Sequence, residues 1–235
     1  MRIAVVTPYY KETDMQLNRC MSSINSQTYP VTHIMVADGY PRGFDPNYRF
    51  VEHMILPHSH DDAGATPRAL GALSAFSRGY DAVAFLDADN WYEPNHIDTM
   101  VKIIEDSRAD AVVATRTIHA QDGTPMYVDT VESNGENMID TNSWFVTRKA
   151  MHLMTTWVVD PTQRLWSDRH FAKAMLSCGI NIVRSDEPTV AYVTKWAWHY
   201  KHAGVPIPPD AVWIDVDQST GALIHRKHSE QVQGN

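Results

Sequence analysis

Two cysteines in 235 residues, Cys20 and Cys178, are too few for a disulfide framework. Both fall in helix-like patterns, where cysteine serves as a small apolar residue, and such usage suits a reducing compartment. Runs of lysine and arginine are missing too. With 20 basic against 28 acidic residues the net charge is −8, the wrong sign for a general nucleic-acid binder. No stretch approaches the roughly 18 consecutive apolar residues of a membrane span. The first residues lack the basic-then-apolar pattern of a secretory signal, because Arg2 leads at once into a strand-like run. The expectation is a cytoplasmic protein with no nucleic-acid partner and no transmembrane segment. Internal repeats and low-complexity stretches are also absent.

What is present is an ordinary globular composition, 43% apolar and 20% charged. A chain of this size buries roughly 70% of its extended surface on folding, enough for a core without covalent staples. The first half alternates two periodicities. Ile3 to Thr7, Thr32 to Ala37, Phe50 to Leu56, Ala82 to Leu86 and Ala111 to Ala114 are short apolar runs that read as buried strands. Between them, Leu17, Cys20, Met21 and Ile24, then Ala69, Leu70, Leu73 and Phe76, then Ile97, Met100, Val101 and Ile104 recur at helical spacing. This order predicts a mostly parallel central sheet flanked by helices. Ligands of such sheets bind beyond the carboxyl ends of the strands, where Pro8 to Glu12, Asp38 and Asp87 to Asn90 fall.

The second half is less regular. Residues 116–142 are polar and read as a hairpin or loop excursion. Ser143 to Val146 reads as a strand, and Trp166 to Cys178 as a helix stopped by Gly179. Ile180 to Val183 and Thr189 to Val193 read as two further strands. From Ala203 on, Pro206, Pro208 and Pro209 suggest a loop or tail.

The sharpest chemical signal is Phe85-Leu86-Asp87-Ala88-Asp89-Asn90. An apolar strand runs into two carboxylates that repel each other unless positive charge lies near. A divalent cation held through oxygen is one answer, and it would in turn hold a diphosphate. The other is a polar turn in which Asn90 or Glu93 caps the helix that begins near Pro94. At Asp168 the residues alone read as a simple helix cap, by Ser167 or Asp168.

In its motifs the chain resembles the GT-A glycosyltransferases, and among them the inverting family 2, over roughly residues 2 to 195. The motifs are Thr7-Pro8-Tyr9-Tyr10-Lys11-Glu12 after the first strand, Val36-Ala37-Asp38-Gly39 after the second, Gly64-Ala65-Thr66-Pro67-Arg68 on a helix, and Leu86-Asp87-Ala88-Asp89-Asn90. The resemblance implies a GT-A (Rossmann-like) fold with an irregular acceptor-side C-terminal part. It implies that Pro8, Tyr10, Glu12 and Asp38 hold the base and ribose of a nucleotide-sugar, with Arg68, Asp87 and Ala88 also on the donor. Asp89 would ligate Mn2+ or Mg2+, with Asp87 in the metal shell and His199 as a further ligand. Asp168 would take the proton of the acceptor hydroxyl. Asn142, Trp166 and Trp198 would line the sugar and acceptor pocket.

These roles imply a metal-dependent inverting transfer of one sugar from a nucleotide-diphosphate sugar, UDP favoured and GDP or dTDP open. The acceptor would be a hydroxyl of a saccharide, lipid-linked or other molecule. On this reading residues 1–202 form the catalytic domain, 1–115 the donor half and 116–202 the acceptor and base half, with 203–235 a tail. Processive synthases of the family carry Gln-x-x-Arg-Trp after the base; here Gln163-Arg164-Leu165-Trp166 precedes it, which favours single transfer. Two other readings remain open. A sugar-1-phosphate nucleotidyltransferase would need a glycine-rich loop after the first strand, and residues 8–16 hold no glycine. A non-catalytic nucleotide-sugar-binding module would need no base.

Overall fold

The computed structural model of the chain describes residues 1–44, 48, 50–133, 138–159, 166–216 and 223–232. Two compact units divide it: Met1–Arg116 with Asp129–Ala191, and Thr117–Val128 with Tyr192–Asn235. Gln163 to Leu165 lie outside the described residues.

The first unit opens with β1 (Ile3–Tyr9), α1 (Asp14–Asn25), β2 (Thr32–Asp38), β3 (Val51–Leu56), α2 (Ala65–Ser77), β4 (Ala82–Phe85), the short β5 (Trp91–Tyr92) and α3 (His96–Ser107). There follow along the chain β6 (Ala111–His119), whose end lies in the second unit, β7 (Pro125–Asp129), which lies in the second unit up to Val128, β8 (Trp144–Thr147), a 3-10 run over Arg148–Trp157, α4 (Ser167–Ser177) and β9 (Ile182–Val193), whose last two residues lie in the second unit. The strand order is β3-β2-β1-β4-β8-β6-β9-β5, with β7 on β6. The block β3-β2-β1-β4 is parallel, as its apolar strands and intervening helices predict. β8 joins β4 and β6 antiparallel, so the irregular half of the chain completes the same sheet.

Side-chain alternation explains why β4, and β1 up to Val6, are apolar on both faces. Ala4, Val6, Val83 and Phe85 point to one face, packed with Ala72 and Phe76 of α2, Trp157, and Phe171 of α4. Ile3, Val5, Ala82 and Ala84 point to the other, with Cys20 of α1 and Ile97 and Met100 of α3. α1 starts from a capping box: Thr13 Oγ1 accepts the Gln16 N–H, and the Gln16 side chain accepts the Thr13 N–H.

Two expectations change. The strands expected at 180–183 and 189–193 are one, β9, because partners hold its polar middle extended; Thr115 Oγ1 donates to the Ser185 carbonyl at 2.7 Å. The residues from Ala203, expected as a loop or tail, carry β10 (Val212–Val216) antiparallel to β11 (Leu223–Lys227), then α6 (His228–Val232).

The second unit also holds α5 (Ala197–Ala203), whose Ala197 and Tyr200 pack with Ala120, Met126, Ala211 and Trp213. Among the described residues no helix is long and apolar enough to cross a membrane.

Candidate active site at the strand ends of the parallel block

Register places the polar strand ends side by side. Tyr9 pairs with Ala37, one residue before Asp38, and Val6 pairs with Phe85, two before Asp87. The Leu86 N–H still bonds the Val6 carbonyl at 3.1 Å, so Asp87 leaves the sheet from a fixed position beside Pro8. Gly64 closes this corner. Its φ is 79°, and a Cβ there would lie 3.0 Å from Pro8 Cγ and 3.4 Å from Arg68 Nη2. The turn before α2 can therefore press on Pro8 and aim Arg68 along the sheet edge.

Asp87 is the centre of the arrangement. Its Oδ1 accepts Arg68 Nη2 at 2.6 Å, and Asn142 holds it from the other side. Asn142 is fixed in turn by Asp140, whose Oδ1 accepts both the Asn142 N–H and Nδ2 at 2.9 Å. Asp140 Oδ2 accepts Arg116 Nη1 at 2.8 Å. Arg116 is fully buried and also binds Asp129, at 2.8 Å, and Glu132. Burial pushes the Asp140 carboxyl above the usual carboxylate range, with Arg116 pulling against it. A continuous line of contacts thus runs from Arg116 through Asp140, Asn142 and Asp87 to Arg68. The Arg68 guanidinium lies 4.9 Å above the Trp157 ring, and its Nε is buried with no hydrogen-bond partner among the described residues.

Ala88 packs in the small core beneath Tyr9, Leu17 and Met35. This burial holds the Asp87-Ala88-Asp89 turn down while Asp87 and Asp89 keep partial access to solvent. Arg19 Nη2 donates to the Asp89 carbonyl at 2.7 Å. The capping alternative for this turn does not match the geometry. The N-cap of α3 is Asn95, without a side-chain cap bond, and the Asn90 N–H turns back to the Asp87 carbonyl at 3.0 Å.

At the end of β2, Asp38 is buried. It accepts Ser59 Oγ and the His60 N–H at 3.1 Å and His60 Nδ1 at 2.7 Å. The His60 ring therefore carries its proton on Nδ1 at this contact. Gly39 makes the approach possible: at φ 80° a Cβ would fall 2.5 Å from the Ser59 nitrogen. Glu12 folds onto its own turn, its Oε2 accepting the Tyr10 N–H at 2.6 Å. Tyr10 is exposed, its ring 4.7 Å from that of Tyr40; the Lys11 ammonium beside it lowers the pKa of its hydroxyl.

Asp168 stands half-buried in the first turn of α4. The N-cap is Trp166, with no side-chain cap bond, so neither Ser167 nor Asp168 serves as the cap. Burial pushes the Asp168 carboxyl up to about 6. The Arg169 N–H, at 2.7 Å, opposes that rise, the Asp140 charge adds to it, and the charges of Arg169 and Arg68 pull it back. Asp168 is thus electrostatically tied to Asp140 and Arg68, two members of the Asp87 line.

The structure gathers Pro8, Asp38, Arg68, Asp87, Ala88 and Asp89 at neighbouring strand ends, and Asp168 feels the charge of Arg68. It gives Asn142 another task than lining a sugar pocket: it is fully buried, with its amide committed to Asp87 and Asp140. Trp198 and His199 belong to the second unit. There His199 is buried, its Nδ1 on Thr194 Oγ1 and its ring 3.6 Å from that of Trp198. Among the described residues no group of three or more His, Cys, Asp or Glu side chains is placed to hold a metal ion. The sequence reading missed Arg116, His60 and Ser59. For Arg116 a signal existed, since a charge inside a buried strand must be paired.

Residues 57–167 match the family described as Glycosyl transferase family 2. The glycosyltransferase GlyA of Streptococcus pneumoniae serotype 4 (strain ATCC BAA-334 / TIGR4) is 30% identical over 116 residues, 48% of this chain and 16% of that protein. The crystal structure of S. aureus TarS 1-349 in complex with UDP superposes with a TM-score of 0.65 at 13% identity, over 86% of this chain and 63% of that one. The complex of the same protein with UDP-GlcNAc gives 0.64 at 14%, over 83% and 59%. The chain thus spans about a sixth of the curated relative and under two thirds of the solved chains.

Proposed function

We propose, on the premise that this is a family 2-like glycosyltransferase chain with the GT-A fold, that it transfers one sugar from a UDP-sugar to an acceptor hydroxyl with inversion. The observation that carries the reading is Asp168. A carboxyl raised by burial to about 6, with the Arg68 charge among those acting on it, is poised as a base at neutral pH.

The donor would lie across the ends of β2, β1 and β4. An ionised carboxylate offers about four acceptor sites. Ser59 Oγ, the His60 N–H shared between both oxygens, and His60 Nδ1 orient Asp38, which would accept a base N–H in exchange for one of these contacts. The second oxygen of Glu12 would meet ribose hydroxyls. Arg68, with its buried unpaired Nε, would face the diphosphate and hold Asp87 against it.

The carboxylates of Asp87 and Asp89 would offer oxygen ligands of the kind a hard divalent cation takes. Asp89 would hold such an ion, with Asp87 beside it. When bound, the ion supplies positive charge to the leaving diphosphate. The remaining chemistry belongs to the chain. The acceptor oxygen attacks the anomeric carbon, its proton passes to an Asp168 carboxylate oxygen, and the bond to the diphosphate oxygen breaks with its electron pair. Arg68 adds to the charge stabilisation of the departing diphosphate.

Two measurements test this. Thermal shifts with UDP, GDP and dTDP, each with Mn2+ or EDTA, should single out UDP; ligand at a hundred times Kd adds about 2.7 kcal/mol. Asp168→Asn should lose turnover and retain UDP binding. Turnover that survives the substitution would remove the base assignment, and failure of every nucleotide to bind would remove the whole reading.

A further inference from the structure

Resting on the reading that Arg68 faces the donor diphosphate, we propose that Trp157 is a positioning residue for the reaction: its indole face fixes the Arg68 guanidinium against Asp87, where the diphosphate would lie. The Arg68 side chain is buried. Among the described residues it makes one hydrogen bond, from Nη2 to Asp87 Oδ1 at 2.6 Å, and its buried Nε has no partner. One bond is a pivot about which a guanidinium can still turn. Recognition of an oxyanion depends on the plane of the guanidinium, since its N–H bonds all lie in that plane. The Trp157 ring, with its centroid 4.9 Å from the guanidinium carbon, supplies the missing restraint.

The ring is itself held fast. Trp157 is fully buried at the end of the 3-10 run. The Phe171 ring of α4 stacks on it at 4.2 Å with 14° between the planes, and the Phe85 ring of β4 meets it edge-on at 5.3 Å. Phe85 lies two residues before Asp87. Phe171 lies three after Asp168, on the same face of α4. One indole therefore touches the guanidinium, the strand that leads to Asp87 and the helix that carries Asp168. A phenyl could fill a core position without burying an unpaired donor. Trp157 Nε1 is such a donor, without a hydrogen-bond partner among the described residues, and an unmet buried N–H is costly. What an indole offers over a phenyl is the stronger attraction of its face for a cation.

UDP and uridine, which differ by the diphosphate, are titrated by calorimetry into the full chain, Arg68→Met, Trp157→Leu and the double variant. Trp157→Leu should weaken UDP about tenfold, the scale of one oriented, desolvated cation contact, and leave uridine unchanged. In the Arg68→Met background the same substitution should cost nothing more, because it acts through Arg68. Trp157→Phe keeps an aromatic face and should recover most of the loss. A merely structural role would weaken both ligands and add to the effect of Arg68→Met; either result overturns the proposal. Should Trp157→Leu not fold, the wild-type chain decides. UDP should shift the Trp157 indole N–H resonance, assigned through its contacts with the Phe171 and Phe85 rings, and uridine should not; equal shifts or none overturn the proposal. The outcomes also separate the levels. UDP affinity that depends on Arg68 and ignores Trp157 overturns the positioning role alone. Affinity indifferent to Arg68→Met removes Arg68 from the diphosphate as well, and no UDP binding to the wild-type chain removes the donor site with both.

Discussion

Asn142 grips Asp87 at two points: its Oδ1 accepts the Asp87 backbone N–H at 2.6 Å, and its Nδ2 donates to Asp87 Oδ2 at 3.3 Å. The two residues are 55 apart in sequence, and Asp140 fixes the amide from behind, so its orientation follows from its partners. Asn142→Asp would set a third carboxylate between Asp87 and Asp140. The expected outcome is a loss of about 10² in kcat/KM, the scale of an ångström-level misplacement at a reacting centre. UDP binding measured by calorimetry should weaken in parallel; wild-type kinetics in this variant would show that the clamp is dispensable.

Arg116 holds three carboxylates, those of Asp129, Glu132 and Asp140, with almost no exposure of its own. Arg116→Leu leaves buried acids without their cation. A destabilisation of about 3–5 kcal/mol is expected, read from urea unfolding midpoints. A loss under 1 kcal/mol would mean that these acids are neutralised by other means.

Asp168 must be ionised to accept a proton. With its pKa raised to about 6, kcat should be low in acid, rise through about pH 6 and level off above it. Carboxylates at their ordinary value would put that rise two pH units lower. A profile flat from pH 5 to 8 would detach Asp168 from the rate.

Stability should fall in acid for a different reason. Burial pulls His33 and His96 down to about 3, so both are neutral in the folded protein. The unfolded chain protonates them below about 6.5. Their contribution is therefore complete above 6.5 and is lost as pH falls toward 3. Asp168, raised in the folded state, takes up one proton in the opposite sense between about 6 and its unfolded value near 4. Melting temperatures should thus drop from pH 7 to 4, and the drop should be steeper in Asp168→Asn. A Tm independent of pH over this range would contradict the buried neutral histidines.

Gly39→Ala should cost at least 1–3 kcal/mol from its positive φ alone, with the Cβ contact at 2.5 Å to the Ser59 nitrogen on top. Because Ser59 and His60 both bind Asp38, UDP affinity should fall with Tm. A variant that lost Tm but kept UDP affinity would dissociate Asp38 from base binding.

The parallel block was legible because burial on both faces leaves a strand no choice but to be apolar, as in Ala82 to Phe85. The strand ends were legible for the converse reason: Asp38 and Asp87 interrupt such runs where the sheet stops. The C-terminal hairpin was hidden because Val212 to Val216 and Leu223 to Lys227 alternate weakly and lie among prolines and charges; their pairing is visible only once both are placed. The Arg116 network was hidden because Asp129, Glu132 and Asp140 resemble any polar loop until one cation is found at their centre. Asn142 was singled out, and its task was not, since side-chain contacts across 55 residues leave no local pattern.

The position of β8 beside β4 bears on the order in which the chain can assemble during synthesis. Residues 1–86 contain β1 to β4 and the whole parallel block, but the flank of β4 that carries Asp87 stays open until β8 and Asn142 have left the ribosome. At about 5–20 residues per second, that interval lasts a few seconds or more. During it the nascent protein exposes an apolar strand edge next to an Asp87 that lacks its Asn142 clamp. A truncation before residue 142 therefore yields a sheet with its donor-side corner unfinished and the β8-side edge of β4 unpaired.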